Sequence, residues 1–128
     1  MLEVTNKTRI SIPPLPYEHI FHKIFNNRTI DISLVFVGDA RMRSINRKYR
    51  NKDKTTNVLS FPLNDSLAEI FICVNQAKRE ARKLQVSFDR RVLELLVHGL
   101  FHIKGFDHEN DQEAEHMEGL EHRILTQL

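Results

Sequence analysis

Residues 30–49 read IDISLVFVGDARMRSINRKY, and the apolar period changes partway along. Ile30, Ile32, Leu34 and Phe36 recur at every second position, the signature of a strand with one buried face. The alternation stops at Gly38. Asp39 is then placed to cap a helix carrying Met42, Ile45 and Tyr49 at i, i+3 and i+7. A strand that passes straight into a helix is the building unit of a sheet with helices packed on it. Upstream, Leu2, Val4, Ile10 and Ile12 sit at even spacings that suggest an opening strand. Pro13, Pro14 and Pro16 interrupt it, and Tyr17 to Asn27 then puts Ile20, Phe21, Ile24 and Phe25 on one helical stripe.

Downstream the pattern continues. Asn57 to Phe61 reads as a short strand ended by Pro62, and Glu69 to Val74 as another after the turn-like Asn64-Asp65-Ser66. Asn75 is placed to cap a helix with Ala77, Ala81 and Leu84 inward. Ser87 caps the next, which holds Val92, Leu93, Leu96, Val97, Leu100 and Phe101, and Gly105 suits the left-handed position past its end. Asp111 caps a last helix with Ala114, Met117, Leu120 and Ile124 inward. The expected fold class is α+β: a single domain over residues 1–128, with a mixed sheet of about four strands packed by about five helices. Strand order is not legible in the pattern.

Composition narrows the classes. At 128 residues, 41% hydrophobic and 28% charged, the chain is ordinary globular material. Its longest apolar run, Ile70 to Val74, is far short of the roughly 18 residues that span a bilayer. MLEVTNKTRI offers no apolar stretch for a secretory signal, and Cys73, the one cysteine, excludes an internal disulfide. These features predict a cytoplasmic protein with no membrane partner. The net charge of +2 hides an uneven distribution. Residues 41–54 hold seven basic side chains against Asp53 alone, and residues 78–91 hold six against two acids. Residues 105–128 reverse the sign, with seven acids against Arg123. Two basic segments suggest an anionic partner, nucleic acid foremost; solvated helix faces are the alternative.

The chemistry concentrates in HGLFHIKGFDH, residues 98–108. Residues four apart turn about 400° around a helix, so His98 and His102 project from one face on successive turns. Gly105 lets the chain double back, which is what brings His108 towards the same point. Three converging imidazoles suit Zn²⁺ with its fourth position open, and they also accept other divalent transition metals. A structural site closed by a fourth protein ligand is the alternative. The expected metal site thus lies on the penultimate helix and the turn after it, with Asp107 available to orient a ligand imidazole. His19, His22, His116 and His122 read as surface residues. Cys73 reads as a small core residue, and Lys104 as favouring the C-terminus of its own helix, with a phosphate contact as the alternative. The spacing matches the zinc-peptidase pattern H-E-x-x-H-x-x-G-x-x-H except that Gly99 replaces the glutamate base, and glycine moves no proton.

HGLFHIKGFDHE also resembles the H-G-x-x-H-x-x-G-[YF]-D-H signature of the YbeY family of rRNA-maturation endoribonucleases. A second segment agrees: residues 46–62, NRKYRNKDKTTNVLSFP, are similar to that family's N-x-x-[YF]-R-x-x-D-x-P-T-[DN]-V-L-S-F-P. Thr55 stands where the family usually has proline, Phe106 where tyrosine is common, and Ala68-Glu69 where Gly-Asp is usual; the segment between Pro62 and Ala68 is short. The resemblance implies a metal-dependent endoribonuclease acting on single-stranded RNA, in 16S rRNA 3′-end maturation and ribosome quality control. It implies His98, His102 and His108 as zinc ligands and Arg50 as the catalytic arginine facing the cleft. It implies rRNA and the ribosomal subunit or its associated proteins as partners. Arg50 suits its role physically, because a guanidinium grips phosphate in bidentate fashion and stabilises growing charge. The attacking group is either water at the metal or the RNA's own 2′-hydroxyl. Two rival readings are another zinc hydrolase and a non-catalytic ribosome-associated factor whose metal only staples the C-terminal helices.

Overall fold

The computed structural model describes residues 1–26, 29–105 and 110–128. Among them run four strands, β1 (Leu2–Asn6), β2 (Asp31–Val37), β3 (Val58–Asn64) and β4 (Leu67–Cys73). The five helices are α1 (Tyr17–Phe25), α2 (Asp39–Arg50), α3 (Val74–Leu84), α4 (Phe88–Lys104) and α5 (Asp111–Thr126). The sheet order is β1-β2-β4-β3, with β1, β2 and β4 parallel and β3 antiparallel to β4. The α+β architecture with a mixed four-stranded sheet is therefore the one expected.

The alternation in β2 divides its side chains between two layers. Ile32, Leu34 and Phe36 join Ala68, Ile70 and Ile72 of β4 under α1, α4 and Met117 of α5. Val37 and Cys73 point the other way, onto Met42 and Ile45 of α2. One sheet face thus carries most of the core, and the second is covered chiefly by α2. Cys73 is fully buried, as expected of a core residue.

Several boundaries move, each for a physical reason. Ile10 and Ile12 pack against the core from outside β1, which ends at Asn6. Pro62 does not end β3, which runs on to Asn64 with a register shift between Pro62 and Asn64. The strand lies at the sheet edge, where proline's missing donor costs no ladder bond. Asp39 is not the cap of α2; it is the first helical residue, and Gly38 precedes it. Asn75 does not cap its own helix either. Its Oδ1 accepts from the Asp39 N–H at 3.1 Å, so it caps α2 from the start of α3. Asp39 instead accepts from Nη1 and Nη2 of Arg79, at 2.9 and 2.7 Å, and this pairing lowers its pKa. Ser87 caps α4 as expected, accepting from the Arg90 N–H at 3.0 Å. Asn110 rather than Asp111 caps α5. Leu84 is exposed rather than inward, because the last turn of α3 runs past the core.

Candidate functional site

Helix α4 carries the histidines because its apolar positions wrap far around it. Val92, Leu95, Leu96, Val97, Leu100, Phe101 and Ile103 are buried, which leaves His98 and His102 on the half-buried margin. Their rings lie 4.8 Å apart between centroids at 70°. The helix ends at Gly105, whose φ of 111° is the left-handed conformation expected of it. His108 and Asp107 lie outside the described residues. Among the described residues no group of three His, Cys, Asp or Glu side chains is arranged to hold a metal.

One partner of the site was not legible in the motif. Glu121 of α5 places its Oε1 2.8 Å from Nδ1 of His98. An ionised carboxylate only accepts, so the contact places a proton on Nδ1 of His98, and in the neutral imidazole the lone pair is then on Nε2. That is the tautomer a metal ligand needs, held by the carboxylate that commonly supports such ligands. The available signal was Glu121's spacing of four from Met117, the fully buried residue of α5, which turns the carboxylate towards the protein.

Gly99 has a packing role. A Cβ there would lie 3.1 Å from Ser60 Oγ and 3.2 Å from Ile70 Cγ2, and Ser60 Oγ donates to the Gly99 carbonyl at 3.3 Å. The glycine lets α4 settle on β3 and β4, and a glutamate there would be driven into the sheet. Lys104 donates to the Ile24 carbonyl at 2.8 Å. It therefore supports a helix C-terminus, that of α1 rather than its own. His19, His22, His116 and His122 are exposed.

Arg50 is the last residue of α2, exposed at a turn that Asn51 makes in the left-handed conformation. The following loop folds back on the helix. Asn46, fully buried, donates to the Lys54 carbonyl at 2.9 Å, and Arg43 grips Asp53 with contacts of 2.9 and 3.1 Å. Arg43 and its charge hold the Asp53 carboxyl below its usual pKa. Helix α2, which ends at Arg50, packs on the opposite face of the sheet from α4, yet the two helices meet at one strand. Ser60 of β3 touches Gly99 on one face, and its neighbour Phe61 packs 5.4 Å from the Tyr49 ring on the other. The histidine helix and the arginine end of α2 thus border consecutive residues of the same edge strand.

The two basic segments differ in degree. In the second, Arg79 pairs with Asp39, Arg90 with Glu94, and Arg91 with Glu80 and Glu94, while Lys78, Arg82 and Lys83 are exposed and pair with no acid among the described residues. In the first, Arg43 and Arg47 are the two of seven paired among the described residues, both with Asp53.

The sequence model of one family, Endoribonuclease YbeY, matches residues 3–128. A Rhizobium etli protein of that name is 49% identical over 107 residues, covering 77% of this chain and 63% of the relative. An Agrobacterium fabrum protein of the same name is 43% identical over 113 residues, covering 81% and 67%. The chain spans under two thirds of the length of the first of these relatives. The solution structure of a Thermotoga maritima protein superposes with a TM-score of 0.68, covering 99% of this chain and 91% of that one. At 21% identity that likeness is one of fold.

Proposed function

The chain belongs to the YbeY endoribonuclease family, and on that premise we propose that it is a metal-dependent endoribonuclease cutting single-stranded RNA. Its proposed substrate is rRNA at the 3′ end of 16S, in ribosome maturation and quality control in the cytoplasm, with the ribosomal subunit as partner. The observation that carries the metal reading is the His98–Glu121 contact, which orients an imidazole lone pair beside the His102 ring. His98, His102 and His108 would hold the metal, zinc or another divalent transition ion. When bound, such an ion polarises a phosphoryl oxygen and lowers the pKa of a coordinated water to about 7.

The chain's own residues supply the rest. Glu121 fixes the tautomer of His98 and Gly99 seats the helix against the strand. Arg50, exposed and outside any ion pair among the described residues, would grip the phosphate in bidentate fashion and stabilise the charge that grows on it. Because Gly99 leaves no room for a glutamate base, peptide hydrolysis by the zinc-peptidase route has no support in this site.

The test is cleavage of an end-labelled single-stranded RNA by wild type, His102→Ala and Arg50→Ala proteins purified identically. Loss of cleavage in both folded variants and on chelation supports the proposal. Equal cleavage by all three would assign it to a contaminating nuclease. Product ends then identify the attacking group: 2′,3′-cyclic phosphates assign attack to the RNA's 2′-hydroxyl, and their absence assigns it to water.

A further inference from the structure

Seven basic side chains lie between Arg41 and Lys54, and Asp53 neutralises only Arg43 and Arg47. Arg41, Lys48, Arg50, Lys52 and Lys54 are exposed and pair with no acid among the described residues. In their midst stands a cluster of three aromatic rings, one pair tilted and one edge-to-face. Tyr49 is 61% exposed, its ring 5.4 Å from that of Phe61, which lies 6.1 Å from Phe71. Lys48 Nζ sits 5.3 Å from the Tyr49 centroid. Beside the cluster is a concavity of about 300 Å³ whose lining includes Arg41, Ser44, Lys48, Tyr49, Glu69 and Phe71.

A tyrosine that served only to extend the core would be covered. This ring is braced on Phe61 and exposed apart from the Lys48 ammonium over it, which a stacked base would displace, so it offers a fixed apolar face at little further entropic cost. From these observations we infer that the Tyr49–Phe61–Phe71 face is a nucleobase-stacking subsite for single-stranded RNA, an inference that rests on the proposed ribonuclease reading. Tyr49 and Arg50 are adjacent on a helix and so project about 100° apart. A nucleotide likewise separates its flat base from its phosphate, so the base can lie on Tyr49 while the phosphate meets Arg50. Glu69 in the lining repels a phosphate and accepts from the amino group of a base, so the base is the part that fits the concavity. Unpaired cations around an exposed ring also favour RNA over a protein partner, since protein interfaces are depleted of lysine and of charge at their centres. The subsite lies on the opposite face of β3 from Gly99, so an RNA strand reaching the histidines from it would cross the edge strand.

The test is equilibrium binding of a short, end-labelled single-stranded RNA to the full chain, by fluorescence anisotropy in chelator so that nothing is cut. Tyr49→Ala is expected to weaken binding on the order of tenfold, and Tyr49→Phe to stay within about twofold because it keeps the ring face. An RNA of the same length with abasic riboses should bind wild type more weakly, and Tyr49→Ala should weaken that binding no further. The abasic comparison on wild type stands whether or not the variant folds. Wild type binding that ignores the loss of bases, or equal binding of normal RNA by wild type and a folded Tyr49→Ala, would overturn the inference alone and leave the aromatic face to a protein partner. Absence of RNA binding by wild type would overturn both this inference and the ribonuclease reading.

Discussion

At His98 the two ring nitrogens are made unequal by Glu121, whose carboxylate 2.8 Å from Nδ1 favours the neutral tautomer with its lone pair on Nε2. Removing that carboxylate leaves the tautomer to chance. Glu121→Ala is expected to weaken zinc binding by about 10- to 100-fold in a competition titration with a chromophoric chelator. Glu121→Gln should weaken it less, because the amide oxygen still accepts from Nδ1–H. Unchanged affinity in both would mean that Glu121 supports only the contact between α4 and α5. Arg50 stands on a different footing, since it has no ion-pair partner among the described residues to lose. Arg50→Ala should leave the melting temperature unchanged and lower kcat by about 10²- to 10³-fold. Arg50→Lys should recover little of that loss, because an ammonium cannot reproduce a two-pronged grip on phosphate. The histidines, the arginine and their order were legible in two motifs. Glu121 was not, because the pairing joins residues 23 apart on two helices whose contact no local pattern specifies.

At the scale of the element, α4 shows how a glycine that looks like a missing base is a packing surface. Gly99→Ala puts a methyl 3.1 Å from Ser60 Oγ and 3.2 Å from the fully buried Ile70. Overpacking of that kind costs about 1–3 kcal/mol and the gain in helix propensity returns about 1, so denaturant unfolding should show a net loss of about 1 kcal/mol. Gly99→Glu, which would restore the peptidase motif, should cost at least about 3 kcal/mol and create no peptidase, since its carboxylate is pressed against a buried sheet face. Capping tells a similar story. Ser87 bonds within its own turn and was legible. Asn75 caps α2, a partner 36 residues distant, because β4 delivers it beside the start of that helix. Lys104 likewise serves α1.

Across the whole molecule, charge divides between holding the fold together and facing outward. Glu80 receives Asn57 at 3.2 Å, Gln76 at 3.1 Å and Arg91 at 3.0 Å, joining the start of β3 to α3 and α4. Burial alone would raise the Glu80 pKa, but these bonds outweigh it and hold it below the usual value. A lowered folded pKa contributes stability above the unfolded value of about 4.3, and that stability is lost as pH falls through the folded pKa. Glu80→Gln is therefore expected to cost about 2 kcal/mol near neutral pH and to flatten the acid limb of a Tm-against-pH curve. An unaltered acid limb would assign that limb to other carboxylates, Asp39 and Asp53 first. The outward charge predicts a salt dependence. With Arg41, Lys48, Arg50, Lys52 and Lys54 as the phosphate contacts, log K for single-stranded RNA should fall with log salt at a slope no steeper than about −3.5, at roughly 0.7 per cation. Charge substitutions at Arg79, Arg90 and Arg91 should change that slope less, because these three are spent on internal pairs. By itself the sequence determined the element types, both motifs, the fold class and the family, since these rest on periodicity and spacing along the chain. Only the tertiary structure decided the strand order, the carboxylate behind His98, the role of Gly99 and which basic side chains are paired, because each depends on contacts between residues distant along the chain.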